Sequence, residues 1–384
     1  IIVMFRIKLS TIIGCKSASN ALVIASISVL CTAFSSIAIA RFRRNLDFKP
    51  LFYIRLGSSL VPLIITVPLA FFLKSYWAIV IGSVSQQFFI AILALACSNY
   101  KPKFKINLLL FKNMLSFSAW NLCETLSIWF AGQANIFIVG SLLSSYYLGM
   151  YKTGMSTINS YMSIVTATIS PVLFSALSRS QNNDCQFKNI LFKFQRTIAL
   201  FVLPMGMGIF IYRNLVVQIL LGNNWMEIAD FMGLWALMSS LTITFSNTAC
   251  EVYRSKGLPN ISFILQVVYM FVYIPVIYYS AKKGFTFLCV TSCLVRLVPI
   301  ILDFLVLYVK FEIKISCLLK NTYIQFFASA IMSMFAILFV NTISNIILKI
   351  ISIIICVIIY FSVIFCFPKM RSEYGSILKK KVKI

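Results

Sequence analysis

Apolar runs of about twenty residues, the length a helix needs to cross the hydrocarbon core of a bilayer, follow one another along almost the whole of this 384-residue chain. Charges sit mainly in the short segments between them. A soluble protein with 34 Lys and Arg against 9 Asp and Glu would scatter that charge over every helix face. With 60% apolar residues and a mean hydropathy of +0.94, the chain reads as an all-α polytopic membrane protein. Eleven spans are drawn, at roughly 20–40, 51–73, 77–97, 114–138, 152–171, 198–220, 229–252, 260–280, 285–308, 322–341 and 345–366. Pro50 and Pro102 are placed in basic loops, and Gly222-Asn223-Asn224 and Gly257-Leu258-Pro259-Asn260 in turns. Residues 172–197 follow Pro171 and mix polar and basic residues with Phe and Leu, a pattern that suits an amphipathic helix lying on the membrane surface. Pro204, flanked by Gly206 and Gly208, reads either as a hinge or as a tolerated kink.

The inter-span loops alternate between basic and nearly charge-free. One set, which includes Arg41, Arg43, Arg44 and Lys49, then Lys101, Lys103, Lys105 and Lys112, and later the C-terminal lysines, holds 23 basic residues; the opposite set holds 7. The positive-inside rule places the first set and the C-terminus in the cytoplasm. Eleven spans then leave the N-terminal end outside. The first residue is Ile1, not Met, and no signal peptide precedes the first span, so the sequence is expected to be a fragment lacking an odd number of spans. The basic excess does not indicate nucleic acid, because no basic helix or arm is interleaved with stacking aromatics.

Eleven cysteines are scattered singly, with Cys289 and Cys293 one helical turn apart, and the chain has no His. They read as small packing residues, and neither a metal site nor a cofactor is expected. Walker loops, dinucleotide fingerprints and His-containing triads are absent from the sequence, which leaves polar groups buried in spans as the remaining chemistry. Ser156, Asn159, Ser163, Thr166 and Ser170 are spaced to share one face of their span. The preceding span carries Ser118, Asn121, Glu124, Ser127 and Asn135, with Glu124 and Asn135 three turns apart on one face. These stripes either line an aqueous cavity or bind helices to one another. A mid-span carboxylate such as Glu124 needs a cavity or a partner. Arg296 sits near the middle of its span, with Asp303 seven residues on and about 10 Å along the helix, too far for a tight pair, so each is expected to find another partner. Arg296 reads as a structural ion pair with another span or as a site for an anionic substrate group. Glu251 and Arg254 are read as a local ion pair at a span end.

Several segments resemble a known family. Arg41-Phe-Arg-Arg-Asn-Leu-Asp-Phe-Lys49 is similar to a basic R-x-L-x-F-K loop, and Ser75-Tyr-Trp-Ala-Ile-Val-Ile-Gly82 to a G-x-W-A-L-V-x-G segment. Ile138-Val-Gly-Ser-Leu-Leu-Ser-Ser-Tyr-Tyr-Leu-Gly-Met-Tyr151 follows an L-I-G-x-x-L-G-x-x-x-L-G-x-Y pattern, and Ile169-Ser-Pro-Val-Leu173 and Leu221-Gly-Asn-Asn-Trp225 also fit. In this order and spacing, from about residue 20 to at least residue 260, they resemble the bacterial polysaccharide or O-antigen repeat-unit flippases of the multidrug/oligosaccharidyl-lipid/polysaccharide exporter superfamily. The resemblance implies a MATE-like architecture of fourteen spans, two bundles of six plus two C-terminal helices, of which these eleven would be the fourth to the fourteenth. It divides the chain into 1–97, the remainder of the first bundle; 98–113, a basic cytoplasmic linker; 114–308, the second bundle; 309–366, two additional helices; and 367–384, a basic tail.

It also implies a flippase moving an undecaprenyl-pyrophosphate-linked oligosaccharide across the membrane, driven by a proton or sodium gradient. Such a flippase contacts membrane lipids and works beside a polysaccharide polymerase and a chain-length regulator. On this reading Arg296 meets the anionic head, Asn121, Asn135, Asn159 and Ser163 line the cavity, and Glu124 carries ion coupling. Family members commonly have an acidic residue just ahead of the L-I-G segment, where this chain has Asn135, so Glu124 would have to take that role. The alternatives are a drug or cation antiporter of the same superfamily and a non-transporting membrane partner of a polysaccharide assembly complex.

Overall fold

The computed structural model describes Arg6 and residues 19–45, 47–98, 108–343, 345–368 and 370–371. Pro102, Lys101, Lys103, Lys105 and the tail lysines lie outside the described residues. Every element among the described residues is helical. Eleven helices or helix pairs are long and apolar enough to cross a membrane, so the chain is an all-α polytopic membrane protein. Side chains such as Phe72, 85% exposed, and Phe137, 77% exposed, would be costly on a water-facing surface. They suit a surface that meets lipid.

The chain divides into two compact units, Ile1–Leu108 and Leu109–Ile384. In the first, α1 (Ser19–Asn45) and α2 (Phe48–Val61) pack on α4 (Trp77–Cys97), with Ala38, Phe42, Ile54 and Ala94 at the shared core. Arg43 and Arg44 end α1, where cations complement the helix dipole. Pro50, expected in a loop, lies in the first turn of α2, where its missing N–H costs no intrahelical bond. A π turn at Pro62–Thr66 joins α2 to α3 (Val67–Leu73).

The second unit contains α5 (Leu108–Leu142), α6 (Ser145–Arg179), α7 (Asp184–Ile211), α8 (Arg213–Leu220), α9 (Ala229–Thr242), α10 (Thr248–Ser255), α11 (Pro259–Lys282), α12 (Phe285–Leu294), α13 (Leu297–Phe311), α14 (Ile315–Thr342) and α15 (Ile346–Cys366). Its largest core joins α5, α6, α7, α9, α11 and α12 around Tyr151, Ile158, Val202, Met232, Trp235 and Leu288. Cys289 and Cys293 are buried in it. Gly257 and Gly284, at the turns into α11 and α12, adopt φ of 75° and 112°, a region open to glycine and strained for other residues.

One further expectation is corrected here. Residues 172–197 do not form a separate surface helix. α6 continues through Pro171 to Arg179, a short turn follows, and α7 begins at Asp184, its first turn capped by the Asn183 side chain accepting from the Gln186 N–H at 3.0 Å. The amphipathic pattern arises because these two helix ends alternate between packing on the core and exposure. Pro204, which the sequence leaves open between a hinge and a tolerated kink, lies within α7, continuous from Asp184 to Ile211. Proline at 204 cannot donate to the Leu200 carbonyl, and the Tyr360 hydroxyl of α15 donates to that carbonyl instead, at 2.9 Å.

Gly206 has a packing role. A Cβ there would stand 2.5 Å from the Ser240 Cβ and 3.0 Å from the Ala236 carbonyl oxygen, so its absence lets α7 and α9 approach closely. Gly206→Ala is expected to destabilise the protein by about 1–3 kcal/mol through overpacking, read as a lower melting midpoint in detergent. Gly208→Ala, where a Cβ meets nothing within 4 Å, is the control and should not lower it.

Candidate functional site

The second unit contains a partly open cavity of about 330 Å³ bounded by α5, the junction of α9 and α10, α11 and the start of α13. Two backbone irregularities shape it. Between α9 and α10 the chain makes a π turn at Ile243–Asn247, and the extra residue in that turn shifts the helix register. As a result Thr242, Ser246, Asn247 and Cys250 all reach the cavity wall. The second irregularity lies between α12 and α13 at Val295 and Arg296. Pro299 has no N–H for the Val295 carbonyl. The Val298 N–H bonds that carbonyl at 3.0 Å, and the Arg296 N–H bonds the Cys293 carbonyl at 3.2 Å. The tightened turn places Arg296 at a break in the span. Broken spans are tolerated where they line a cavity.

Three charged side chains line the cavity. Glu124 of α5 is 2% exposed, and its Oε1 accepts from Arg254 Nη2 at 2.9 Å. Its Oε2 is buried without a hydrogen-bond partner among the described residues. Arg254, read from sequence as pairing locally with Glu251 at a span end, is the last basic residue of α10 and does reach Glu251 at 3.6 Å, but the pair extends to a third residue 130 positions away. Asp303 of α13 is 4% exposed, and both its oxygens are engaged: Ser246 donates to one, and Tyr253 donates to the other at 3.0 Å. Arg296 is held differently. Its guanidinium lies 4.1 Å from the centre of the Trp235 ring, and among the described residues it forms no ion pair. Arg296 and Asp303 thus do find separate partners.

Asn121, Asn135, Asn159 and Ser163 are not among the residues lining this cavity. Asn121 is half-buried on α5, and Ser163 is exposed on α6 with its hydroxyl donating to the Ser160 carbonyl at 2.7 Å. Ser156 and Thr166 likewise bond to carbonyls of their own helix. Asn135 and Asn159 belong to a different arrangement. Asn135, 1% exposed, donates to the Tyr151 hydroxyl at 3.4 Å. Tyr151 stacks on Phe231 with ring centres 5.0 Å apart, and Phe231 meets Trp235 at 5.6 Å. The Trp235 N–H donates to the Asn159 side-chain oxygen at 3.0 Å, and the other end of the column is Arg296. Among the described residues no cluster of three or more His, Cys, Asp or Glu gathers to hold a metal ion.

A cavity with an arginine that no carboxylate neutralises, next to the amides of Asn247 and Gln266 and the hydroxyls of Tyr269 and Tyr273, can bind an oxyanion through a bidentate guanidinium. It can also hydrogen-bond a polyhydroxylated group. Comparison with known proteins agrees with the fold and the setting. Residues 1–230 match the family described as "Polysaccharide biosynthesis protein". The chain belongs to that family.

Among curated proteins, this polysaccharide biosynthesis family member is 23% identical over 169 residues to an "Uncharacterized membrane protein in cps region" of Klebsiella pneumoniae, a match covering 44% of this chain and 35% of that protein. The chain thus spans about a third of the length of that curated relative. Among solved structures, the fold is similar to "Lipid II flippase MurJ, inward closed conformation", with a TM-score of 0.61 at 14% identity over 92% of this chain and 74% of that one. It is also similar to a mutant of the Vibrio cholerae MATE transporter VcmN, with a TM-score of 0.61 at 12% identity over 79% and 73% of the two chains. The likeness to these two structures is one of fold.

Sequence reading missed Ser246, Asn247, Tyr253, Gln266, Tyr269, Tyr273 and Trp235. Asn247 and Gln266 carry the same signal that singled out Asn121 and Asn135, an amide inside an apolar run. The aromatic residues carry none, because membrane residence explains Trp and Tyr in such a chain without reference to a site.

Proposed function

We propose that this family member is a flippase, a carrier rather than an enzyme, that moves undecaprenyl-pyrophosphate-linked oligosaccharide repeat units across the bacterial cytoplasmic membrane for surface polysaccharide synthesis. One observation carries the reading: in a transporter fold, the cavity of the second unit presents Arg296 without a carboxylate partner beside sugar-compatible amides and hydroxyls. Arg296 receives the pyrophosphate. A separate apolar groove of about 330 Å³ between α7, α14 and α15, lined by Phe201, Met205, Met332, Ile353 and Phe361, is chemically suited to the lipid tail. Glu124, with one carboxylate oxygen unpartnered, is the coupling residue for a proton or sodium ion. Asn135 and Asn159 serve the site through the aromatic column; Asn121 and Ser163 contact the sugar from outside this cavity.

The charge asymmetry of the loops supports a cytoplasmic C-terminus, and the polymerase and chain-length regulator are the expected partners. A cation antiporter is the less favoured reading, because Glu124 is engaged by Arg254 and Asp303 by two hydroxyls, so Arg296 is the charged group in the cavity wall left without an opposite charge. The test is expression of the complete gene product in a flippase-null strain that makes the matching glycan, with surface polysaccharide as the readout. Restoration is expected; absence of polysaccharide at normal membrane levels of the protein would sink the proposal.

A further inference from the structure

The aromatic column ending on Arg296 has features that packing alone does not require. Trp235 is 4% exposed, and its ring does two things at once. Its face carries the guanidinium at 4.1 Å, while its N–H is fixed by the Asn159 side chain at 3.0 Å. Because α9 places Phe231 and Trp235 one turn apart, the ring is also braced against Phe231, and through it against Tyr151 and Asn135. The guanidinium is therefore located by the flat face of a clamped indole, and none of its N–H donors is taken by a carboxylate among the described residues. An ion pair would position Arg296 equally well but would compete with an anionic ligand for the same donors. A cation–π contact leaves the in-plane donors facing outward for an oxyanion.

We propose that Trp235, clamped by Asn159, is the positioning residue that presents Arg296 to a phosphate- or pyrophosphate-type oxyanion in this cavity. The inference rests on the flippase reading for the identity of the anion. Asn159, selected by sequence as a cavity-lining residue, then acts through Trp235 rather than by touching the ligand in this cavity.

The experiment measures binding of inorganic pyrophosphate to the purified complete gene product in detergent by calorimetry, counting only the binding lost in Arg296→Gln. The Kd is expected to rise about tenfold in Trp235→Leu and about threefold in Trp235→Phe, which keeps an aromatic face but lacks the N–H donor. Asn159→Leu, on an exposed face of α6 and so compatible with folding, is expected to weaken binding about threefold as well. Trp235→Tyr should recover part of the loss seen in Trp235→Leu. A packing role alone would lower the melting midpoint while leaving the Kd of the folded fraction unchanged, and that result in Trp235→Phe and Asn159→Leu overturns the positioning role while the flippase reading stands. If the unsubstituted protein shows no Arg296-dependent binding, the anion assignment falls and the positioning role with it. Complementation by the unsubstituted protein then decides separately whether the flippase reading survives.

Discussion

Arg296→Ala is expected to abolish transport while leaving the protein in the membrane at its normal level. The guanidinium lines the cavity, rests on Trp235 and has no ion-pair partner among the described residues. Its removal therefore orphans no buried carboxylate, and the structural penalty is confined to a lost cation–π contact. A ligand whose phosphate depends on that cation loses about 2–5 kcal/mol of interaction when one partner of a desolvated charge pair is truncated, equivalent to a fall of about 30-fold or more. Arg296→Lys should rescue only weakly, because an ammonium is a compact point charge that neither spreads over the indole nor binds two oxygens side by side. Transport is read as surface polysaccharide in the flippase-null strain, normalised to protein in the membrane. Full activity in Arg296→Ala would remove the anion site from the mechanism.

The second large effect is on stability. Glu124 is buried and bonded to Arg254 at 2.9 Å, and Arg254 has 31% of its side chain exposed. Removing one member of a buried pair leaves the other charge uncompensated, at a cost of about 3–5 kcal/mol. Because Arg254 keeps Glu251 at 3.6 Å and some access to solvent, Glu124→Gln should lie at the lower end, about 3 kcal/mol. Arg254→Gln should be worse, since it strands Glu124 and weakens the environment of Glu251 together. In the double variant neither charge is stranded, and most of the melting-midpoint loss should be recovered. This double variant also separates two roles of Glu124. A stable but inactive double variant fits a carboxylate that couples transport to an ion, whereas a stable and active one leaves Glu124 as half of a structural pair.

Much of the fold was legible because the membrane imposes it. A span must satisfy its backbone internally and present apolar side chains, so hydropathy alone located the eleven spans seen among the described residues. It set their ends less well. Hydropathy stops at the edge of the hydrocarbon, but helix hydrogen bonding does not: α6 runs from Ser145 to Arg179, whereas its apolar run suggested 152–171. The surroundings of Pro204 were illegible for a related reason, because the Leu200 carbonyl is met by the Tyr360 hydroxyl, 160 positions away in the sequence.

The candidate site was legible in its charges. Glu124, Arg296 and Asp303 stand out in apolar runs, and all three line one cavity. Their partners were not, because pairing depends on the packing of distant helices. Arg254 reads as a loop base until α10 is seen to extend to Ser255. Trp235 reads as one membrane aromatic among many until Arg296 is found on its face. Likewise the polar stripe of α6 marks a real face of the helix, yet most of its hydroxyls bond to the preceding turn, a local contact that face-sharing in sequence does not distinguish from cavity lining.

The most direct measurement is translocation itself. The complete gene product is reconstituted into liposomes holding an undecaprenyl-pyrophosphate-linked oligosaccharide, and the fraction of glycan reachable by an external lectin is followed over time, beside Arg296→Gln and protein-free liposomes. The account predicts that the unsubstituted protein brings glycan from the inner leaflet to the outer face while Arg296→Gln follows the protein-free rate. Equal accessibility in all three, with the protein folded and inserted, would contradict it.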